Sequence, residues 1–123
     1  MADEMVIFAR TFDLARWLLP RCEKFPKGQR FGLTRRTMDA LFDFQEALYL
    51  ANAYHGRERL QHLRAADAHL NVLRANLRLA LALGFLSEGQ YLHVSKMVGE
   101  CGALMGGWLR QTIDKGGRAG AEK

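Results

Sequence analysis

The chain has 123 residues, of which 49% are hydrophobic and only two are proline, and its formal net charge is +5 at pH 7. This length suits one domain that buries its own core without disulfides or metal, and the composition excludes a disordered protein. The acidic start and the lack of about 18 consecutive apolar residues predict neither a signal peptide nor a membrane span. We therefore expect a soluble, cytoplasmic protein.

The first half of the chain predicts two helices. Helix one runs from an N-cap at Asp3 to Leu19, where Pro20 is expected to end it. Helix two is expected to begin near Pro26, since proline suits the first turn of a helix, and to continue to about Ala53.

The second half predicts two further helices. Gly56 precedes helix three, and Gly84 suits a left-handed C-cap at its end. Ser-Glu-Gly-Gln at positions 87–90 is a capping box, so helix four begins there and is expected to fade around Ile113. Short connections favour an all-α, antiparallel up-down four-helix bundle over residues 1–115, with a flexible Gly/Ala-rich tail over 116–123.

Helix three has more apolar surface than one core seam requires. Its main stripe is Leu63, Ala66, Leu70, Leu73, Leu77 and Leu81. Val72, Leu79 and Leu83 project well over 100° from the centre of that stripe. A homo-oligomer interface is the simplest explanation for this second apolar face, although a long helix that touches two neighbours within the bundle would account for part of it.

Helix four has one edge of small residues. Ser95, Gly99, Gly102 and Gly106 recur at spacings of four, three and four. Each helix-interior glycine costs about 1 kcal/mol relative to alanine, so this edge suggests a close backbone approach, and tight helix packing is the simpler explanation.

The positive charge is concentrated in one segment. Between Arg21 and Arg36 there is a single acid, Glu23, and six basic residues, namely Arg21, Lys24, Lys27, Arg30, Arg35 and Arg36. The other 12 Lys/Arg and 12 Asp/Glu cancel, so this segment accounts for the whole formal excess of +5. A polyanion is the expected partner.

A second set of basic residues lies on helix three. Arg57, Arg64, Arg74 and Arg78 fall within about 100° of one another, beside the apolar stripe. This set could extend the basic segment into a track for a phosphate backbone. A solvated face whose side-chain stems cover the core edge is an equal alternative, and Asp67 within the same wedge weakens the nucleic-acid interpretation.

No metal, cofactor or catalytic site is predicted. His55, His62 and His69 recur every seven residues, about 10 Å along a helix, which is too far for two of them to share one ion. Cys22 and Cys101 have no second cysteine nearby and are expected to be ordinary reduced thiols. The chain is expected not to be an enzyme.

Four strings of the sequence together resemble one known family. ARWLLPRCEK is followed directly by FPKGQRFGLTRR, and LRLALALGFLSEGQY and MGGWLRQ come later in the expected order and spacing. They resemble the Avd family, the accessory variability determinant proteins of bacterial and phage diversity-generating retroelements, from about Phe8 to Gln111. FPKGQRFGL is also similar to four-helix-bundle proteins encoded by intervening sequences in bacterial 23S ribosomal RNA genes. The Leu-Gly-Phe-Leu-Ser turn and Gly106-Gly107-Trp108 favour Avd, and the Ser-Ile-Pro-Asn-Ile-Ala-Glu-Gly-like stretch typical of the other group is missing from helix two.

The resemblance implies a homopentameric barrel of four-helix bundles in a bacterial cytoplasm. It also implies a function, binding the element's reverse transcriptase, its template RNA and complementary DNA during mutagenic copying. Lys27, Arg30, Arg35, Arg74 and Arg78 stand at matching motif positions. Base specificity is expected to be weak, because the aromatic residues mostly fall on helical core faces and no stacking platform is recognisable.

Two other interpretations stay open. The protein could be a structural oligomer or protein-interaction hub of the intervening-sequence type, with the basic segment facing an acidic protein. Peripheral membrane binding is less favoured, because the basic segment straddles a proline-containing loop instead of forming one long amphipathic helix.

Overall fold

Four α-helices form the described part of the chain, which confirms the all-α prediction. The computed structural model describes the backbone of residues 2–122 and the side chains of residues 6–116. The helices are α1 (Ala2–Glu23), α2 (Leu33–Ala53), α3 (Gly56–Ala82) and α4 (Glu88–Glu122), with a 3-10 turn at Lys27–Gln29 between α1 and α2.

The helices pack antiparallel, each beside its neighbour in the chain, and α4 returns to lie beside α1. The α2–α3 interface is the most extensive and the α1–α2 interface the least. Leucine residues fill the centre, and the fully buried ones include Leu14, Leu18, Leu41, Leu48, Leu63, Leu70, Leu73 and Leu77. The predicted stripe of α3 is confirmed up to Leu77, but Ala80 is buried where Leu81 was expected and Leu81 is only half-buried.

Helix α1 continues past Pro20, so the prediction that this proline ends the helix was wrong. Proline removes one backbone hydrogen bond to the residue four positions earlier. The helix ends three residues later, at Glu23, so only its final turn is affected. Nη1 of Arg21 donates to the carbonyl oxygen of Trp17 at 2.7 Å, which supports that turn.

Helix α2 begins at Leu33, seven residues later than the expected start near Pro26. Pro26 instead precedes the 3-10 turn, and Gly32 takes φ −109° and ψ −116°, outside the helical region. The side-chain oxygen Oε1 of Gln29 accepts the backbone N–H of Leu33 at 3.3 Å. Residues 24–32 therefore form a folded connector between α1 and α2.

The α3–α4 turn was predicted correctly from its local motifs. Gly84 has φ +80°, and the N–H of Phe85 donates to the carbonyl of Ala80 at 2.8 Å, as a Schellman cap requires. The capping box is reciprocal, because the N–H of Ser87 donates to Oε1 of Gln90 at 2.9 Å and the N–H of Gln90 donates to Oγ of Ser87 at 3.1 Å.

Helix α4 extends to Glu122, beyond the expected end near Ile113. Gly116 stays helical, and the described residues have a positive φ at only two glycines, Gly56 and Gly84. The N-cap expected at Asp3, and most of the tail expected over 116–123, involve side chains outside the described residues. The flexibility of that tail stays a prediction.

We expect Gly84→Ala to lower the free energy of unfolding by about 1 kcal/mol, because a Cβ is strained at this positive φ. Gly99→Ala is the matched control. A Cβ there meets nothing within 4 Å, so the same substitution should raise stability by up to about 1 kcal/mol in a helix interior. Urea unfolding followed by circular dichroism measures both. A stabilising Gly84→Ala would contradict the left-handed cap.

Candidate nucleic-acid interface

Residues 21–36, which we call the basic shoulder, lie at the end of the bundle where α1 passes into α2. Five of the six basic side chains are exposed, and Arg21 is half-buried. The guanidinium of Arg21 lies over the ring of Trp17, with its carbon 4.0 Å from the ring centroid. The structure thus presents most of the predicted basic residues to solvent.

The basic shoulder is held in place by apolar contacts. Phe25 is buried, and its ring centroid lies 5.6 Å from that of Phe85 in the α3–α4 turn. Leu33, at the start of α2, is buried as well. The basic connector is therefore fixed to the end of the core, and the α3–α4 turn lies at the same end of the bundle.

The charge of the basic shoulder is not uniform. Arg35 pairs with Asp39 at 3.8 Å, and Arg36 lies in a groove with Asp39 and Asp43. Among the described residues, Lys27 and Arg30 have no carboxylate within 4.0 Å, and both line a cavity of about 650 Å³ between α1 and α2. Lys27 and Arg30 therefore make no ion pair with a described acid, although Glu23 lines the same cavity.

Arg74 and Arg78 lie apart from the basic shoulder, in a groove between α3 and α4. The groove has a volume of about 230 Å³ and also includes Tyr91 and Ser95. Nη1 of Arg74 donates to Oδ1 of Asn71 at 3.0 Å. Because one hydrogen bond is made within α3, the remaining donors of this guanidinium can bind a phosphate.

The small-residue edge of α4 receives a side chain, not a backbone. A Cβ on Gly102 would lie 2.5 Å from Nη2 of Arg74, while one on Gly99 would meet nothing within 4 Å. The atoms nearest to Gly102 are therefore side-chain atoms of Arg74 and Leu70 on α3, which is tight helix packing and not a close backbone approach. The glycine makes room for Arg74, and the sequence offered no direct sign that the two features belong together.

The basic shoulder also presents an aromatic side chain that sequence reasoning missed. Phe31 is 78% exposed and follows Arg30 directly. The expectation that aromatic residues mostly fall on core faces fails here, because Phe31 lies in the connector and not in a helix. Exposed aromatic rings among basic residues are suited to stacking on unpaired bases.

The second apolar face of α3 is present as expected. Val72, Leu79 and Leu83 are 51%, 48% and 50% exposed, so the bundle of one chain does not cover them. Their participation in an oligomer interface stays a prediction.

The titratable residues form no recognisable reactive centre within the described part of the chain. No group of three or more His, Cys, Asp or Glu side chains there could hold a metal ion. Burial, with a further contribution from the charge of Glu23, raises the pKa of Cys22 to about 12. Burial also raises the pKa of Cys101. No helix in the described range is long and apolar enough to cross a membrane.

A comparison with known proteins places these features in a family. A model described as bAvd-like matches residues 5–112, a range that includes the whole basic shoulder, Arg74 and Arg78. No curated protein matches the chain.

Both cysteines should be unreactive in the folded protein. A raised pKa leaves almost no thiolate at pH 8, and the thiolate is the reacting form. We expect an aromatic disulfide reagent to titrate no thiol in native buffer and both thiols in denaturant. Rapid native labelling of either cysteine would show that its surroundings open on the timescale of the assay.

Proposed function

Because the chain belongs to the bAvd-like family of bacterial Avd proteins, which are accessory proteins of diversity-generating retroelements, we propose that it binds nucleic acid and the element's reverse transcriptase. In this proposal it holds the template RNA, and the complementary DNA made from it, beside the polymerase. The protein itself catalyses no reaction.

The observation that carries the proposal is the exposed basic shoulder. The connector of residues 24–32, which the buried Phe25 holds against the core, presents Lys24, Lys27 and Arg30 at one end of the bundle. No described acid makes an ion pair with these three side chains. Lys and Arg bind phosphates and release the counterions that surround a nucleic acid. Such contacts are largely independent of sequence, which suits a protein that must accept a template of varied sequence.

Arg74 and Arg78 supply a second set of contacts in the α3–α4 groove. The contact of Phe25 with Phe85 places the α3–α4 turn beside the basic shoulder. Where α1 packs on α4, the ring centroids of Trp17 and His93 lie 5.0 Å apart, and the guanidinium of Arg21 lies over the Trp17 ring. A strand bound at the basic shoulder could therefore reach α4 and the groove around one end of the molecule.

We further propose that the chain forms a homo-oligomer through Val72, Leu79 and Leu83, and the family resemblance favours a pentamer. Three half-exposed aliphatic side chains on one helix face are typical of an interface. Repetition of the basic shoulder around a ring would increase avidity without any new contact.

The alternative is a structural oligomer or protein-interaction hub of the intervening-sequence type. Its support is the exposed apolar surface elsewhere, including Phe12, Phe42 and Tyr49 on α1 and α2. In that case the basic shoulder would contact an acidic protein surface, and RNA affinity would not depend on it.

RNA affinity should depend on salt through the basic shoulder. We expect the binding constant for a structured template-type RNA to fall steeply with salt. A variant with Lys27, Arg30, Arg35 and Arg36 changed to Ala should reduce the log–log slope by up to about 3, since each phosphate contact contributes about 0.7 to 0.9. Fluorescence anisotropy across a salt series measures both slopes.

A charge-matched variant controls for net charge. Arg57, Arg64, Arg110 and Lys115 are also exposed, but they lie toward the opposite end of the bundle. Their replacement by Ala should change the slope much less. Equal slopes for all three proteins, with loss of reverse transcriptase binding in the shoulder variant alone, would favour the interaction hub.

A charge on the α3 face should dissociate the oligomer. Leu79→Glu buries a carboxylate in the proposed interface, which is costly, while in a single bundle the side chain is half-exposed and tolerates the change. Leu92→Glu on α4, at a position 69% exposed, is the control and should leave assembly intact. Sedimentation velocity decides. A wild-type protein that sediments at 13.9 kDa overturns the interface.

A further inference from the structure

The cavity beneath the basic shoulder has a composition that simple phosphate binding does not explain. Its volume of about 650 Å³ falls within the range of roughly 300 to 1,000 Å³ typical of small-ligand sites. Phe25, Pro26 and Met38 form its apolar part. These surfaces suit a flat, weakly polar ring better than a hydrated anion.

The polar lining of the cavity carries charges of both signs. Lys27 and Arg30 lie on its wall, and so does Glu23, the one acid of the basic shoulder. Within the described residues, Glu23 makes no ion pair shorter than 4.0 Å. A phosphate alone would be repelled by this carboxylate, whereas a ligand with both a phosphate and N–H donors would complement all three side chains.

The wall also holds a hydroxyl without a partner. Oγ1 of Thr34 is shielded from solvent and makes no hydrogen bond within the described part of the chain. By contrast, Thr37 and Thr112 each donate to the carbonyl oxygen four residues earlier, at 2.7 and 2.9 Å. A buried, unpaired hydroxyl costs stability and calls for an explanation. Because this oxygen has almost no accessible surface, a ligand in the cavity reaches it only after the Thr34 side chain rotates toward the cavity.

We propose that this cavity takes one unstacked nucleobase of the bound strand, and that Glu23 makes it prefer guanine over uracil. The inference rests on the proposed nucleic-acid binding. Guanine presents two adjacent N–H donors to a carboxylate, whereas uracil presents a single N–H between two carbonyl oxygens that repel it. Lys27 and Arg30 hold the adjoining phosphates. Phe31, which is exposed on the same connector and does not line the cavity, stacks on a neighbouring base without discriminating between bases.

The test compares two RNA heptamers, U7 and the same strand with guanine at its centre, by fluorescence anisotropy at fixed salt. The wild-type protein should bind the guanine strand about fivefold to tenfold more tightly, which is the lower part of the range for a bidentate contact to a base edge. Glu23→Gln should remove the preference while tightening U7 binding slightly, because one negative charge is lost.

Two control variants separate base preference from overall affinity. Lys24→Ala and Phe31→Ala should weaken both heptamers by the same factor, because Lys24 and Phe31 do not line the cavity. Glu23 and Phe31 are exposed, so neither Glu23→Gln nor Phe31→Ala should disturb folding.

The outcomes distinguish this inference from the function on which it rests. Equal binding of both heptamers by the wild-type protein, or a preference that survives Glu23→Gln, overturns the base site and leaves phosphate binding intact. Loss of reverse transcriptase binding in Glu23→Gln, with the heptamer ratio unchanged, would make the cavity a protein contact. Failure to bind either heptamer at low salt would defeat the proposed function as well.

Discussion

The burial of Phe25 at the end of the core is the contact on which the basic shoulder depends. Full burial of a Phe side chain stabilises by roughly 1.5 to 3 kcal/mol, whereas repulsion between exposed like charges about 10 Å apart is well below 1 kcal/mol in salt. The burial of Phe25 against Phe85 therefore exceeds the repulsion within any one pair of the basic side chains around it. It turns a proline- and glycine-containing connector into a fixed surface, and it brings the α1–α2 connector and the α3–α4 turn to one end of the bundle.

The position of Arg74 also depends on a contact between two helices. A guanidinium on a bundle helix normally extends into solvent, but Gly102 on α4 leaves a notch in which Nη2 of Arg74 lies. Asn71 holds the other terminal nitrogen from within α3. Helix-interior glycine lowers helix stability, so the notch costs about 1 kcal/mol relative to alanine. The side chain it accommodates is directed along the α3–α4 groove, where Arg78 lies beside it.

Two kinds of surface meet on this small protein, since Arg36 and Val72 line the same groove between α2 and α3. The end of the bundle where α1 passes into α2 has the basic shoulder, the cavity beneath it and the α3–α4 groove. The outer face of α3 has Val72, Leu79 and Leu83. An oligomer formed through that face would leave the cavity between α1 and α2 accessible, because the cavity lies on the other side of α2 from α3. Assembly and binding at the cavity are therefore compatible in this geometry.

The sequence by itself determined the number of helices, the caps of the α3–α4 turn and the concentration of charge, because these depend on residues close together in the chain. Ser87 and Gln90 bond across three residues, and Gly84 needs only its own backbone angle. The tertiary structure decided the rest. Gly102 accepts Arg74 from another helix, and Thr34 forms a cavity wall with Glu23. The residues in such contacts are far apart in the chain or are separated by an irregular connector. Helical periodicity does not predict which of them meet, because it describes only the faces of single helices.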